Sequence, residues 1–316
     1  MGRYVIGRLA AAIPTLLLLT LAAFLLNSAA RGDPAANALR AGGQEPTPEA
    51  IAAYREQLGL NDPLPIRYAR WLGDAVQGDF GRSFIDQREV IDILGERIGP
   101  TLRLGIAAFV FTTVLGIGTG ILFGLFANTW IDYGGRVTSL LLASIPSFWL
   151  ALLLITYISE KWKLLPVAGY GGIRYLILPV LALSLGPAAS LMRFTRSAMI
   201  EVWRQDYVRT ARAKGLGQTL LVLRHALPNA MLPIITLLGL RFGQLLAGAI
   251  VIEAIFAWPG MGSALISAIS GRDLPVIGAY VLIAGILFII VNLITDLSYA
   301  FLDPRVRLET TGGRGA

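Results

Sequence analysis

Apolar positions along the chain gather into six stretches of spanning length: Leu9 to Ala30, Pro100 to Ala127, Val137 to Ile158, Tyr175 to Met192, Met231 to Ala257 and Val276 to Leu302. About 20 apolar residues cross the roughly 30 Å hydrocarbon layer as a helix. The pattern therefore predicts an all-α integral membrane protein with six transmembrane helices. Pro179, Gly186 and Pro187 interrupt the fourth stretch. Such breakers are tolerated in a span where neighbouring protein or water satisfies the freed backbone groups, so this span is expected to face partners. Arg3 and Arg8 before the first stretch, and Ser28 and Ala30 near its end, are features shared with a cleaved signal. The run exceeds the roughly 7–15 apolar residues of a signal, and it reads as an uncleaved span.

The polar intervals divide the rest. Residues 1–30 form the N-terminus and first span, 31–99 a small helical insertion, 100–302 a five-helix core, and 303–316 a tail. In the insertion, Thr47-Pro48-Glu49 predicts a helix start with Thr47 as N-cap, and Gly59 a stop near Leu58. Pro63 and Pro65 open a second helix in which Ile66, Ala69, Leu72 and Val76 recur at helical spacing, and a third is expected from Glu89 to Ile98. The insertion is either a cap packed on the membrane or a docking surface. Within the core, 193–229 predicts an amphipathic helix with Trp203, Tyr207 and Ala211 on one face and Arg209 and Arg212 on another. Gly215 and Gly217 end that helix. A short second one, Gln218 to Ala226, is expected to meet a turn at Pro228. The segment is either a basic helix on anionic headgroups or, given the small residues Ala211, Ala213 and Gly215, a contact for another protein.

Charge sets the orientation. Only 15% of residues are charged while 55% are hydrophobic, against about 25% charged in soluble domains. With the N-terminus inside, Arg136, Arg193, Arg196, Arg204, Arg209, Arg212, Lys214, Arg224, Arg305 and Arg307 join Arg3 and Arg8 on the cytoplasmic side, leaving Lys161, Lys163, Arg174 and Arg272 in short outside loops. This bias predicts both termini in the cytoplasm, and it accounts for much of the net charge of +7 without nucleic acid. The chain has no cysteine and a single histidine, His225, so disulfides and a His-Glu-x-x-His metal helix are excluded. His225 reads as a packing or hydrogen-bonding residue. None of the three lysines, Lys161, Lys163 and Lys214, lies in a phosphate-binding loop, so ATP is expected to be hydrolysed elsewhere.

Polar residues inside spans are costly and line cavities or helix interfaces. Arg241 sits near the middle of the fifth stretch with Gln244 and Glu253 beyond it, and Asn292 and Asp296 mark the sixth. Arg241 either pairs with Asp296 or faces a solute pathway. Gly116, Gly120 and Gly124, like Gly239 and Gly243, recur every four residues and suit close helix packing, or alternatively a hinge.

The run Tyr207-Val208-Arg209-Thr210-Ala211-Arg212-Ala213-Lys214-Gly215 followed by Leu227-Pro228 resembles the EAA loop of permease subunits of ABC importers. Arg209 stands where that motif has Glu, and Thr210 replaces its first alanine. Gly32-Asp33-Pro34, Asp79-Phe80-Gly81, Glu253 with Phe256-Ala257-Trp258-Pro259-Gly260-Met261-Gly262, and Leu302-Asp303-Pro304-Arg305 are similar to the peptide and nickel branch. Thr47-Pro48-Glu49, Gln87-Arg88, Gly169-Tyr170-Gly171-Gly172 and Ile252 through Gly260 resemble its nickel-type members most. The resemblance implies a type I importer permease fold and alternating access without catalysis by this chain. It implies a homologous second permease forming a heterodimer, two cytoplasmic ATPases holding ATP and Mg, and an extracytoplasmic solute-binding protein. It also implies a peptide, nickel chelate or metallophore as solute and a location in the bacterial cytoplasmic membrane. No cofactor or metal is expected on this chain; lipid bilayer is its solvent. An ATP-independent secondary transporter or channel is the rival reading, and an intramembrane enzyme is disfavoured because no nucleophile and base pair can be nominated.

Overall fold

The computed structural model describes residues 2–29 and 32–302, so the closing Asp303-Pro304-Arg305 motif, Arg307 and the rest of the tail lie outside the described residues. Every named element is a helix: α1 (Gly2–Ala29), α2 (Pro34–Ala41), α3 (Pro48–Gln57), α4 (Leu64–Val76), α5 (Val90–Leu125), α6 (Trp130–Ser144), α7 (Ser147–Leu154), α8 (Ile173–Trp203), α9 (Asp206–Ala213), α10 (Gln218–Leu221), α11 (Leu227–Ile255), α12 (Met261–Gly271) and α13 (Leu274–Leu302). π-Helical turns extend α7 over Ile155–Lys161 and join α10 to α11 over Val222–Ala226. The described residues form two compact units, one from 2–102 and 258–290, the other from 103–257 and 291–302.

In the first unit, α1 meets α13 where Gly285 leaves room for Leu16: a Cβ there would stand 2.6 Å from Leu16 Cδ2. Asp33 caps α2 through the Ala35 amide and holds Arg55 of α3 at 3.0 Å. Thr47 caps α3 as expected, accepting from the Ala50 amide. The expected third helix of the insertion does not stop at Ile98, because α5 runs unbroken from Val90 through Pro100. A buried cluster of Val90, Ile93, Leu94, Ala268, Val276 and Ile277 closes the unit. Beside it Asp273, ahead of α13, accepts from the Ser83 hydroxyl and the Phe84 amide, and burial still pushes its carboxyl above the ordinary carboxylate range.

The second unit is built around α8. Its apolar window is 61% buried, against 17–25% in the other three helices long and apolar enough to cross a membrane, α5, α11 and α13. Pro179 and Pro187 lie inside it without ending it. The expected third span is not one straight helix: α6 and α7 meet at a bend of 101°. Proline clashes with a helical residue before it, and Ile145, ahead of Pro146, is extended (φ −81°, ψ 121°). Of the six expected spans, four are therefore single helices, the third is a bent pair, and the described apolar part of α1 runs 17 residues, Ala10–Leu26.

Candidate functional site

The basic segment after α8 is where the sequence concentrates its candidate residues. The single amphipathic helix expected there is two. α8 ends at Trp203, Gln205 is extended, and α9 starts at Asp206, so Trp203 does not share a helix with Tyr207 and Ala211. The buried face of α9 is Val208 and Ala211, packed with Leu221 and edged by Val202, Trp203 and Leu216. Tyr207 is exposed and Arg212 stacks its guanidinium 5.2 Å from the Trp203 ring centre. Arg209, Thr210, Arg212, Ala213, Lys214 and Gly215 remain exposed. Arg209 meets Asp206 at 3.6 Å with both side chains in solvent, where such a pair contributes little.

Helix α9 stops in a defined way. The Gly215 amide bonds the Arg212 carbonyl (3.0 Å) and the Leu216 amide bonds the Ala211 carbonyl (3.4 Å), the paired bonds of a Schellman cap. Gly215 has φ +81°, a conformation glycine adopts without a Cβ clash. Leu216 then folds back onto Val208 and Ala211. Pro228 makes no turn: α10, the π turn and α11 follow one another without a break, and Pro228 lies in the first turn of α11. Proline sits here directly after the π turn, in which the Leu227 amide reaches back to the Val222 carbonyl. Within this stretch Leu227 is half-buried and Pro228 exposed. Val222, Ala226 and Ala230 pack on Met199 at the end of α8, alongside Ile121 and Leu125 of α5. The strip 209–215, exposed except at Ala211, thus rests on the end of α8 and on α10, and the π turn after α10 packs in its turn against α8 and the end of α5. His225 is half-buried and its carbonyl accepts from the Asn229 amide group at 2.8 Å.

The second group of candidates divides. Arg241 is half-buried and donates to Gln244 at 2.9 Å, one turn along α11, while its Nε is buried without a hydrogen-bond partner. Gln244 is exposed, Glu253 is fully buried about 18 Å along the helix from Arg241, and Asn292 is half-buried on α13. The Asp296 side chain lies outside the described residues, so the Arg241–Asp296 pairing has no geometry here. The ion pair the sequence reading missed is on other helices. Asp132, fully buried in the first turn of α6, takes a two-pronged contact from Arg196 of α8, with Nη2 to Oδ2 at 2.7 Å, and Arg136 stands 3.7 Å away. Asp132 and Arg196 are 64 positions apart, and no helical periodicity links them; Arg196 was legible only as one charge of the basic run.

Residues 116–308 match the family described as binding-protein-dependent transport system inner membrane component, and residues 1–105 match the N-terminal membrane-component family of the same systems. The glutathione transport system permease protein GsiC of Escherichia coli (strain K12) is 40% identical over 309 residues, covering 98% of this chain and 100% of that protein. A Brucella suis biovar 1 (strain 1330) protein, provisionally named a peptide permease, is 43% identical over 319 residues with the same coverages. Among solved structures, the inward-facing MetNI methionine ABC transporter shares the fold with TM-score 0.59 at 18% identity, covering 67% of this chain and 97% of that one. An amino acid ABC transporter with histidines gives TM-score 0.51 at 16% identity over 68% of this chain and 94% of that one. This chain belongs to the family of binding-protein-dependent transport system inner membrane components and is a membrane permease subunit of an ABC importer.

Proposed function

We propose that this permease couples ATP hydrolysis in separate cytoplasmic subunits to alternating access through the strip Arg209–Gly215, with Leu227 and Pro228 carrying the motion into α11. The carrying observation is the Schellman cap at Gly215, which presents exposed small and basic residues on a platform formed by the end of α8 and by α10, with the π turn that leads into α11 packed on α8 and the end of α5. Ala211 supports the strip from within rather than meeting a partner, since it is buried against its own chain. In this reading the chain holds no ATP, Mg or metal, pairs with a homologous permease, and receives solute from an extracytoplasmic binding protein. Arg241, Gln244, Glu253, Asn292 and Asp296 mark the pathway or its helix pairing. The named relatives favour glutathione or a small peptide as solute over a nickel chelate. Uptake of labelled glutathione, dipeptide and chelated nickel by the reconstituted importer separates the three.

Substitution of Gly215 tests the coupling. A β-branched side chain at φ +81° costs roughly 1–2 kcal/mol locally and deforms the cap. Gly215→Val is expected to insert in the membrane at normal level while losing ATPase copurification or most solute-stimulated hydrolysis and uptake. Arg209→Ala, which removes only an exposed charge, should change them less. Wild-type copurification, hydrolysis and uptake for Gly215→Val would return the segment to a basic helix on the membrane surface.

A further inference from the structure

Helix α4 has three faces. At about 100° per residue, Tyr68, Trp71 and Ala75 share one third of its circumference, Arg67, Arg70, Asp74 and Gln77 a second, and Pro65, Ile66, Ala69, Leu72, Gly73 and Val76 the last. The aromatic third is packed: the Tyr68 hydroxyl lies 2.9 Å from Thr20 Oγ1 and donates to the Leu17 carbonyl at 3.1 Å, Tyr68 meets Phe24 edge-on, and Trp71 covers Gly278. The aliphatic third has no such cover, with Ile66 51% and Val76 81% exposed.

The level at which α4 is docked says what covers that face. Thr20 precedes the end of α1 at Ala29 by about 13 Å of helix rise and lies inside the apolar stretch Ala10–Leu26. Gly278 lies about 6 Å into α13, one of the helices long and apolar enough to span. Beside these contacts α1 turns Leu18, Leu25 and Leu26 outward. A bare aliphatic face on a helix docked at this level is left to meet the same apolar surroundings as the outward leucines of α1, while Arg67 and Arg70 can reach the headgroups by extending their stems.

We propose that α4 is an interfacial membrane helix whose aliphatic third lies among acyl chains of the leaflet at the C-terminal end of α1, with its polar third toward water. An interfacial helix with an apolar face, a charged face and aromatic side chains at the boundary follows from the energetics of that zone. The insertion is thereby held at a fixed height on the bilayer, and only its remaining surface is open to a soluble partner. The inference rests on α1 and α13 crossing the membrane.

The chain's lack of cysteine makes the test direct. Single cysteines at Ile66, Ala69 and Val76, and at Asp74 and Gln77, carry an environment-sensitive fluorophore in the full importer reconstituted in liposomes. Leu18 of α1 and Phe288 of α13, both exposed, serve as lipid-facing references. The stripe positions are expected to show blue-shifted emission and to be quenched by nitroxide-bearing lipids as strongly as Leu18, with iodide ineffective; Asp74 and Gln77 should show the reverse. Iodide quenching at Ile66 and Val76, or protection from both quenchers as under a covering protein, overturns the proposal. If Leu18 and Phe288 also escape the lipid quencher, the membrane placement of α1 and α13 has failed rather than the reading of α4.

Discussion

Asp132 shows how much one residue depends on another that is distant in sequence. Its carboxylate is fully buried and both oxygens are engaged by Arg196. Removing Arg196 leaves the buried carboxylate only the Asn128 amide and the more distant Arg136, so the loss is expected at or below the roughly 3–5 kcal/mol of breaking a buried pair. Arg196→Met is expected to lower the thermal unfolding midpoint and membrane yield sharply, Arg196→Lys to fall between because it cannot make the two-pronged contact, and Asp132→Asn with Arg196→Met to recover part of the loss. A double-mutant cycle on unfolding in detergent measures the coupling; additive effects of the two substitutions would mean the pair is energetically idle. At this scale the sequence was a poor guide. Arg241 stood out because a charge in an apolar run is visible to a linear reading, and its observed partner, Gln244, lies one turn away. Asp132 was inconspicuous although its burial is greater.

Among the elements, the glycine stripe of α5 settles between packing and hinge. A Cβ at Gly120 would stand 2.5 Å from Thr195 Cβ and 2.8 Å from the Met192 carbonyl oxygen, and Gly116 and Gly124 meet Leu191 and Met199 as closely. The stripe is a packing face against α8. Gly118, off the stripe, has nothing within 4 Å of an added Cβ. Gly120→Val should cost about 1–3 kcal/mol through overpacking and reduce assembled importer, whereas Gly118→Ala should be neutral. Size-exclusion recovery after mild heating compares the two, and equal behaviour would contradict close packing. The caps at Thr47 and Gly215 were readable because capping is local chemistry. The break at Gln205 and the continuity through Pro228 were not, since both depend on what Val208 and Val222 pack against.

For the whole molecule, the arginine distribution predicts that both termini and residues 193–229 are cytoplasmic and 31–99 is outside. A cysteine placed at Gln77, exposed just past α4, is expected to react with a membrane-impermeant maleimide from the outside in intact cells; labelling from the cytoplasmic side alone would invert the topology. Helical class, membrane solvent, family and the position of the basic segment were all determined by the sequence itself. Each follows from composition, period or motif, quantities summed over neighbours in the chain. Tertiary structure alone decided the Asp132–Arg196 pair, the burial of Ala211 and the bare third of α4. The aliphatic spacing of Ile66, Ala69, Leu72 and Val76 was plain in the sequence, but spacing defines a face without saying what the face meets. Tyr68 and Trp71 were the side chains that found Thr20 and Gly278, and their docking turned the aliphatic face outward. The physical reason is that burial is a property of pairs of surfaces brought together by folding, whereas periodicity is a property of one.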